Sequence, residues 1–368
     1  MHYRRFGKTE LNLSVFSLGL MRCLENTKLL HQVLMAAISQ GINHIETARG
    51  YGQSERYLGQ ALRSINRSEL VLTTKLLPGS DVERLVDESL ERLGTDYIDC
   101  LAVHGVNTSE HLQQVDGMMP GLSQVLDDGR VGHIGVSTHG PLDVVIRAIA
   151  LPIISFINLH YYFFNPRNAP AIELAHQRDL GIFIISPADK GGQLYTPPDK
   201  LKQLCKPFEP LLLTYRWLLS DPRITTLSIG PAIPAELDWP LQVANSTAPL
   251  TSAEHQSLER LQNHADVALG TEHCRQCYEC LPCPEAINIP EVLRLRNLAV
   301  AYDMQSFGQY RYGMFERAGH WFPGRKGNRC TDCGDCLPRC PENLDIPTLL
   351  RDTHDRLKGP ERRRLWSD

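Results

Sequence analysis

Eight short runs rich in apolar and β-branched residues recur along residues 1–250, separated by longer stretches with helical spacing. They read SVFSLGL, INHIE, LVLTTKL, YIDCLAVH, VGHIGVS, ISFINLHY, GIFIIS and TTLSIG. Apolar residues three and four apart mark Leu29 to Gln40 and Val82 to Leu93 as helices between runs. Strands of near-continuous apolar content are buried on both faces, as in a parallel sheet. Eight strand–helix repeats over this length predict an α/β fold, a TIM (β/α)8 barrel. A doubly wound open sheet is the other topology for such alternation. It is disfavoured because no Gly-x-Gly-x-x-Gly follows the first run.

A TIM barrel keeps its chemistry where the strands end. The strand ends here carry Glu46, Lys75 and His104, with Tyr51 in the loop after Glu46. An acid, an amine, an imidazole and a phenol are thereby expected at one mouth. A phenol has a pKa of about 10, so it is a poor proton donor at neutral pH without a cation beside it. Lys75 is positioned to be that cation and Glu46 to keep it charged. With His104 orienting a carbonyl oxygen, the set would protonate that oxygen as hydride reaches carbon. Each residue alone has an ordinary structural reading: an ion-paired lysine, a turn tyrosine between glycines, a core histidine. Their appearance at consecutive strand ends is what favours chemistry.

The last third of the chain is constrained differently. Eight of the eleven cysteines fall in two arrays. Cys274, Cys277, Cys280 and Cys283 form CRQCYECLPCP, and Cys330, Cys333, Cys336 and Cys340 form CTDCGDCLPRCP. The second has the spacing of bacterial ferredoxins, in which the fourth cysteine ligates the other cluster. Structural zinc is the competing assignment, but it uses paired cysteines with a long gap and has no need of so dense an array. Each array leads into a similar tail, EAINIPEVLRL and ENLDIPTLLRD, so one half-unit is duplicated: cluster loop, extended piece, Pro, helix. Helical patterns run from Ala253 to Ala265 and from Glu291 to about Asp303. Of the scattered cysteines, Cys100 is expected in the core; Cys23 lies near the end of the first run, and Cys205 carries no motif.

The barrel runs resemble the aldo/keto reductase family. The stretches that carry the resemblance are MHYRRFGKTELNLSVFSLGLM, GINHIETARGYGQSERYLGQAL, VLTTKL, DYIDCLAVHG, LDDGRVGHIGVS and RWLLSDPRITTLSIG, in order across residues 1 to 245. The resemblance implies Tyr51 as general acid, Lys75 as its partner and His104 as the carbonyl-orienting residue. It implies that Ser137, Asn158 and Ser186 line the nicotinamide side of the mouth, and that the segment opening at Gly230 holds the distal part of NADP(H) or NAD(H). This chain departs from the family twice. Glu46 stands where the family has Asp. Between Gly230 and Asn245, where the family holds the 2′-phosphate with basic and serine residues, there is no Lys or Arg. A weaker preference for NADPH over NADH is expected from that.

Residues 270 to 356 look like an all-helical ferredoxin domain with two 4Fe-4S clusters, and they resemble the C-terminal extension of one branch of aldo/keto reductase-like proteins. The resemblance implies Cys274, Cys277, Cys280 and Cys340 on one cluster, and Cys330, Cys333, Cys336 and Cys283 on the other. Two domains are expected, 1–252 and 253–368, joined through VANSTAPLTSAEH.

Two functions follow as expectations. One is an iron–sulfur oxidoreductase acting on a small carbonyl compound and exchanging single electrons with a ferredoxin or similar carrier. The other is a redox-sensing or partner-docking protein on a degenerate barrel. A net charge of -4 points to no nucleic-acid partner, and no apolar run approaches membrane length. The N-terminus MHYRRFGKTE lacks an apolar core segment, so a cytosolic location is expected. The loops YFFNPRNAP and DKGGQLYTPPDK are expected to shape the substrate pocket.

Overall fold

The computed structural model describes residues 1–188 and 194–359. The chain opens with a two-stranded antiparallel hairpin, β1 (Tyr3–Arg5) and β2 (Asn12–Ser14). The eight expected barrel strands follow, with trimmed ends: β3 (Phe16–Gly19), β4 (His44–Glu46), β5 (Val71–Leu76), β6 (Ile98–His104), β7 (Val131–Ser137), β8 (Ile154–Leu159), β9 (Gly181–Ile184) and β10 (Thr226–Ile229). All pair in parallel, each with the next, and β10 returns to β3 to close the barrel. The intervening helices start at side-chain caps. Asn26, Asp81 and Thr108 each accept a first-turn backbone N–H, and Gly94 ends Val82–Leu93 in the left-handed region at φ 63.

The hairpin has a packing role that its short, polar strands do not advertise. It delivers Phe6 to the start of β9, where the ring lies 5.3 Å from Phe156 and joins Leu13, Cys100, Ala102 and Phe183 in one buried cluster. Gly181 and Gly7 permit this closeness. A Cβ on Gly181 would come within 2.3 Å of the Phe6 ring, and one on Gly7, at φ 53, within 2.4 Å of the backbone of Leu180 and Gly181. The N-terminal end of the barrel is thereby filled by side chains, which leaves the C-terminal end for chemistry.

The chain divides into two compact units: Met1–Pro187 with Thr214–Pro249, and Ala188–Leu213 with Leu250–Asp368. The second is helical. Ser252–Leu269 begins inside the segment expected as a linker, where Thr251 and Glu254 cap each other's backbone N–H. Ile289–Tyr302, Gln305–Tyr312 and Ile346–Leu357 follow. Val292, Leu295, Phe307, Phe315, Ile346 and Leu350 supply its buried core. Arg296 ties Ile289–Tyr302 to Ile346–Leu357 through Asp352 at 2.7 Å. Residues 189–193 of the expected pocket loop, and 360–368 at the end of the expected second domain, lie outside the described residues.

Candidate active site and metal centres

Glu46 ends β4, Lys75 is the penultimate residue of β5 and His104 ends β6. Parallel strands in register therefore bring these side chains to the same end of the barrel. Tyr51 is held by the loop that follows β4: its N–H donates to Ala48 O at 3.0 Å, and its carbonyl accepts from Ser54 N at 3.0 Å. Thr47 and Ser54 lock the same loop, Thr47 Oγ1 donating to Ser54 Oγ at 2.6 Å.

The four residues meet. Lys75 Nζ lies 2.6 Å from Glu46 Oε2 and donates to Thr47 O at 2.8 Å. It also lies 5.0 Å from the centre of the Tyr51 ring. The Tyr51 and His104 rings stand edge to face at 5.6 Å. All four are buried. Burial lowers the pKa of Lys75 because it penalises the charged form, and Glu46 opposes that shift.

The residues expected on the nicotinamide side lie on or just beyond the neighbouring strands. Ser137 closes β7 in register with His104 on one side and Asn158 on the other, so the three form a row at the mouth. Asn158 is fully buried, and neither its Oδ1 nor its Nδ2 has a hydrogen-bond partner among the described residues. A buried amide left unmatched costs about 1–3 kcal/mol, a cost that a pairing ligand would relieve. A carboxamide offers the matching donor and acceptor. Ser186, just beyond β9, sits in the left-handed region at φ 51. Gly230 follows β10, and its carbonyl accepts from Arg22 at 2.8 Å.

Two contacts at the strand ends were not anticipated. Arg22 also bonds Glu236, and His139 Nδ1 lies 2.5 Å from His160 Nε2. Each joins residues from different strand-end loops. Strand-end position was the available signal for the histidines; Arg22 gave none.

The cysteine arrays are coiled alike. Gln276 and Tyr278 in the first array, and Asp332 and Gly334 in the second, all take positive φ, at 57°, 68°, 58° and 81°. These are the residues on either side of the second cysteine in each array. Left-handed residues there turn the chain at the same place in both arrays. The tails match too: Asn288 and Asp345 cap their helices by accepting from Glu291 N and Thr348 N. Cys283 lines one cavity with Cys330, Cys333 and Cys336, from both arrays. Cys274 is near Cys277 and Cys340: burial first, then these neighbours, push its thiol up to about 11. Cys280 is pushed up to about 12 by burial and then by Cys274 and Cys277. Asn297 Nδ2 anchors the first array by donating to Cys274 O at 2.8 Å. The other cysteines, Cys23, Cys100 and Cys205, are buried.

The closed parallel barrel with this polar set at its mouth is a TIM barrel with a candidate site where its strands end, and comparison with known proteins gives the family. The aldo/keto reductase family profile matches residues 24–263, and a 4Fe-4S dicluster domain matches residues 273–344. The chain belongs to the aldo/keto reductase family. It is 25% identical over 314 residues to the uncharacterized oxidoreductase YqkF of Bacillus subtilis, covering 74% of this chain and 99% of that protein. Against L-glyceraldehyde 3-phosphate reductase of Escherichia coli it is 22% identical over 316 residues, covering 67% and 88%. Morphine 6-dehydrogenase of Pseudomonas putida is 34% identical over 170 residues, 44% of this chain and 55% of that protein. Among solved structures, the holo form of aldo-keto reductase AKR11C1 from Bacillus halodurans shares the fold at a TM-score of 0.63 and 21% identity, covering 71% of this chain and 96% of that one. The protein is thus an oxidoreductase of aldo/keto reductase type with a dicluster domain. No helix among the described residues is long and apolar enough to cross a membrane.

Proposed function

We propose that the barrel reduces a small carbonyl compound with a nicotinamide, and that the C-terminal unit carries two 4Fe-4S clusters for single-electron exchange with a ferredoxin-like carrier. The observation that carries the barrel reading is the Glu46–Lys75–Tyr51–His104 arrangement beside the unmatched amide of Asn158. A nicotinamide bound there supplies the hydride to the carbonyl carbon. Tyr51 gives its hydroxyl proton to the carbonyl oxygen. Lys75 eases that loss by placing positive charge beside the phenol, and Glu46 keeps the lysine charged against its burial. His104 orients the oxygen, while Ser137, Asn158, Ser186 and Gly230 contact the cofactor.

The cluster reading rests on the donor chemistry of eight thiols in two four-cysteine sets. Cys283 shares a cavity with Cys330, Cys333 and Cys336, which supports cross-ligation between the arrays. Cys274, Cys277, Cys280 and Cys340 make the second set. Such clusters supply one-electron transfer at potentials tuned by their surroundings. Cluster ligation by thiolates suits a reducing compartment such as the cytosol.

The test is titration of the anaerobically purified holoprotein with NADH and NADPH, followed by aldehyde reduction by wild type and Tyr51→Phe. Saturable nucleotide binding is expected, with loss of about a hundred- to ten-thousand-fold in turnover for the variant. Full activity in Tyr51→Phe, or no binding of either nucleotide, leaves the barrel as a scaffold.

A further inference from the structure

Residues 231–245, after the last barrel strand, contain Glu236 and Asp238 and no basic residue. A cation reaches this segment from elsewhere. Arg22, in the loop after β3, donates from Nη1 to Gly230 O and to Glu236 Oε2, both at 2.8 Å, and from Nη2 to Glu236 Oε1 at 3.3 Å. Glu236 Oε2 also accepts from Ala232 N at 2.9 Å, which fixes the carboxylate to its own loop. The contact is a product of barrel closure: β3 and β10 are parallel neighbours, Leu18 opposite Ile229, so their loops leave the barrel side by side. The two side chains are 44% and 32% exposed. Exposed pairs contribute little to stability, so the fold does not depend on this one, and a ligand can reach it.

Barrels commonly bind phosphate at the loops after their last strands. In nucleotide sites an arginine accommodates a 2′-phosphate, whereas a carboxylate accepts from the ribose hydroxyls. Both side chains are present here, and each occupies the other. We propose that the Arg22–Glu236 pair sets the nucleotide choice, holding Arg22 neutralised and selecting the free ribose diol of NAD(H) over the 2′-phosphate of NADP(H). The inference rests on the nicotinamide reading above and adds its specificity. A diol donates hydrogen bonds to Glu236 and leaves the Arg22–Gly230 contact in place. A phosphate monoester of nearly two negative charges meets the Glu236 carboxylate head on and has to pull Arg22 from it.

The experiment measures dissociation constants for NADH and NADPH on the full-length holoprotein, on Glu236→Gln, and on Glu236→Gln combined with Arg22→Gln. Wild type is expected to bind NADH at least as tightly as NADPH. Glu236→Gln frees Arg22 and moves the ratio towards NADPH by about tenfold or more, the scale of one charge-assisted contact. Adding Arg22→Gln reverses that gain. A ratio unmoved in Glu236→Gln, or a wild-type preference for NADPH, overturns the inference while leaving the nicotinamide reading standing. Binding of neither nucleotide to wild type overturns both.

Discussion

Glu46 reaches Lys75: its Oε2 lies 2.6 Å from the lysine Nζ, and both side chains are buried. The glutamate that replaces the family's aspartate therefore keeps its charge on the lysine rather than displacing it. Its Oε1 lies beside Gly19 of β3, 3.3 Å from where a Cβ on that glycine would stand.

Shortening this side chain should weaken the site. Glu46→Asp would open the ion pair by about one bond length, and active-site geometry tolerates only about half an ångström. Aldehyde turnover is expected to fall. The pH profile carries a second sign. Burial holds the Lys75 pKa below its ordinary 10.5 and Glu46 opposes that. Activity that needs the ammonium is lost as pH rises through the lowered pKa. Glu46→Gln removes the opposing charge, so its alkaline limb should move to lower pH than wild type. A faster Glu46→Asp enzyme, with the limb unmoved in Glu46→Gln, would show that Glu46 does not serve Lys75.

Asn158→Ala should separate binding from stability. Both polar atoms of the amide are buried without a partner among the described residues, so deleting them removes a cost that the fold carries alone. Thermal stability of the nucleotide-free protein is expected to hold or rise, while nicotinamide affinity falls about tenfold or more. A large drop in melting temperature with affinity intact would mean that the amide has a structural partner and no ligand.

Anaerobic protein should be brown, with about eight iron atoms per chain. Cys333→Ala removes one ligand from the set around the shared cavity. About half the iron should be lost, and the C-terminal unit should become sensitive to proteolysis, because metal binding and folding are coupled in small metal domains. The raised thiols of Cys274 and Cys280 must release protons to bind iron, so reconstitution is expected to run better at alkaline pH. Stoichiometric zinc with no iron would end the cluster assignment.

His44 makes the barrel acid-labile. Its ring is buried, with Nδ1 2.5 Å from Ser17 Oγ and Nε2 2.7 Å from Thr73 Oγ1. Burial first, and Lys75 second, push its pKa from 6.5 down to about 3. The folded state refuses the proton that the unfolded chain accepts near 6.5, so this contribution is complete above that pH and drains away between 6.5 and 3. The slope in that window is up to about 1.4 kcal/mol per pH unit. Denaturant unfolding across the window should be flatter for His44→Gln than for wild type. Identical slopes would show that other groups set the acid limit.

The barrel was legible because burial on both faces forces near-continuous apolar runs, and each run contains its strand. The hairpin β1–β2 was not: three-residue strands that alternate with polar side chains look like loop. Glu46, Lys75 and His104 could be read from strand-end position alone, and Tyr51 from its neighbours. The pairing of Arg22 with Glu236 could not, since it joins positions 214 residues apart through barrel closure. In the cysteine arrays, spacing marked the candidate ligands, but nothing in Gln276 or Tyr278 announced a left-handed backbone, because such residues rarely adopt it.

Strand β10 pairs with both β3 and β9, so it is the stave that closes the barrel. A chain emerging from the ribosome therefore presents seven of the eight barrel strands, with a gap, until Ile229 has been made. During that interval the edges of β3 and β9 are bare, and each offers a row of backbone donors and acceptors to any neighbouring strand. The nascent protein is thus most exposed to misassembly late in barrel synthesis, and translation stalled before β10 should make it a chaperone client.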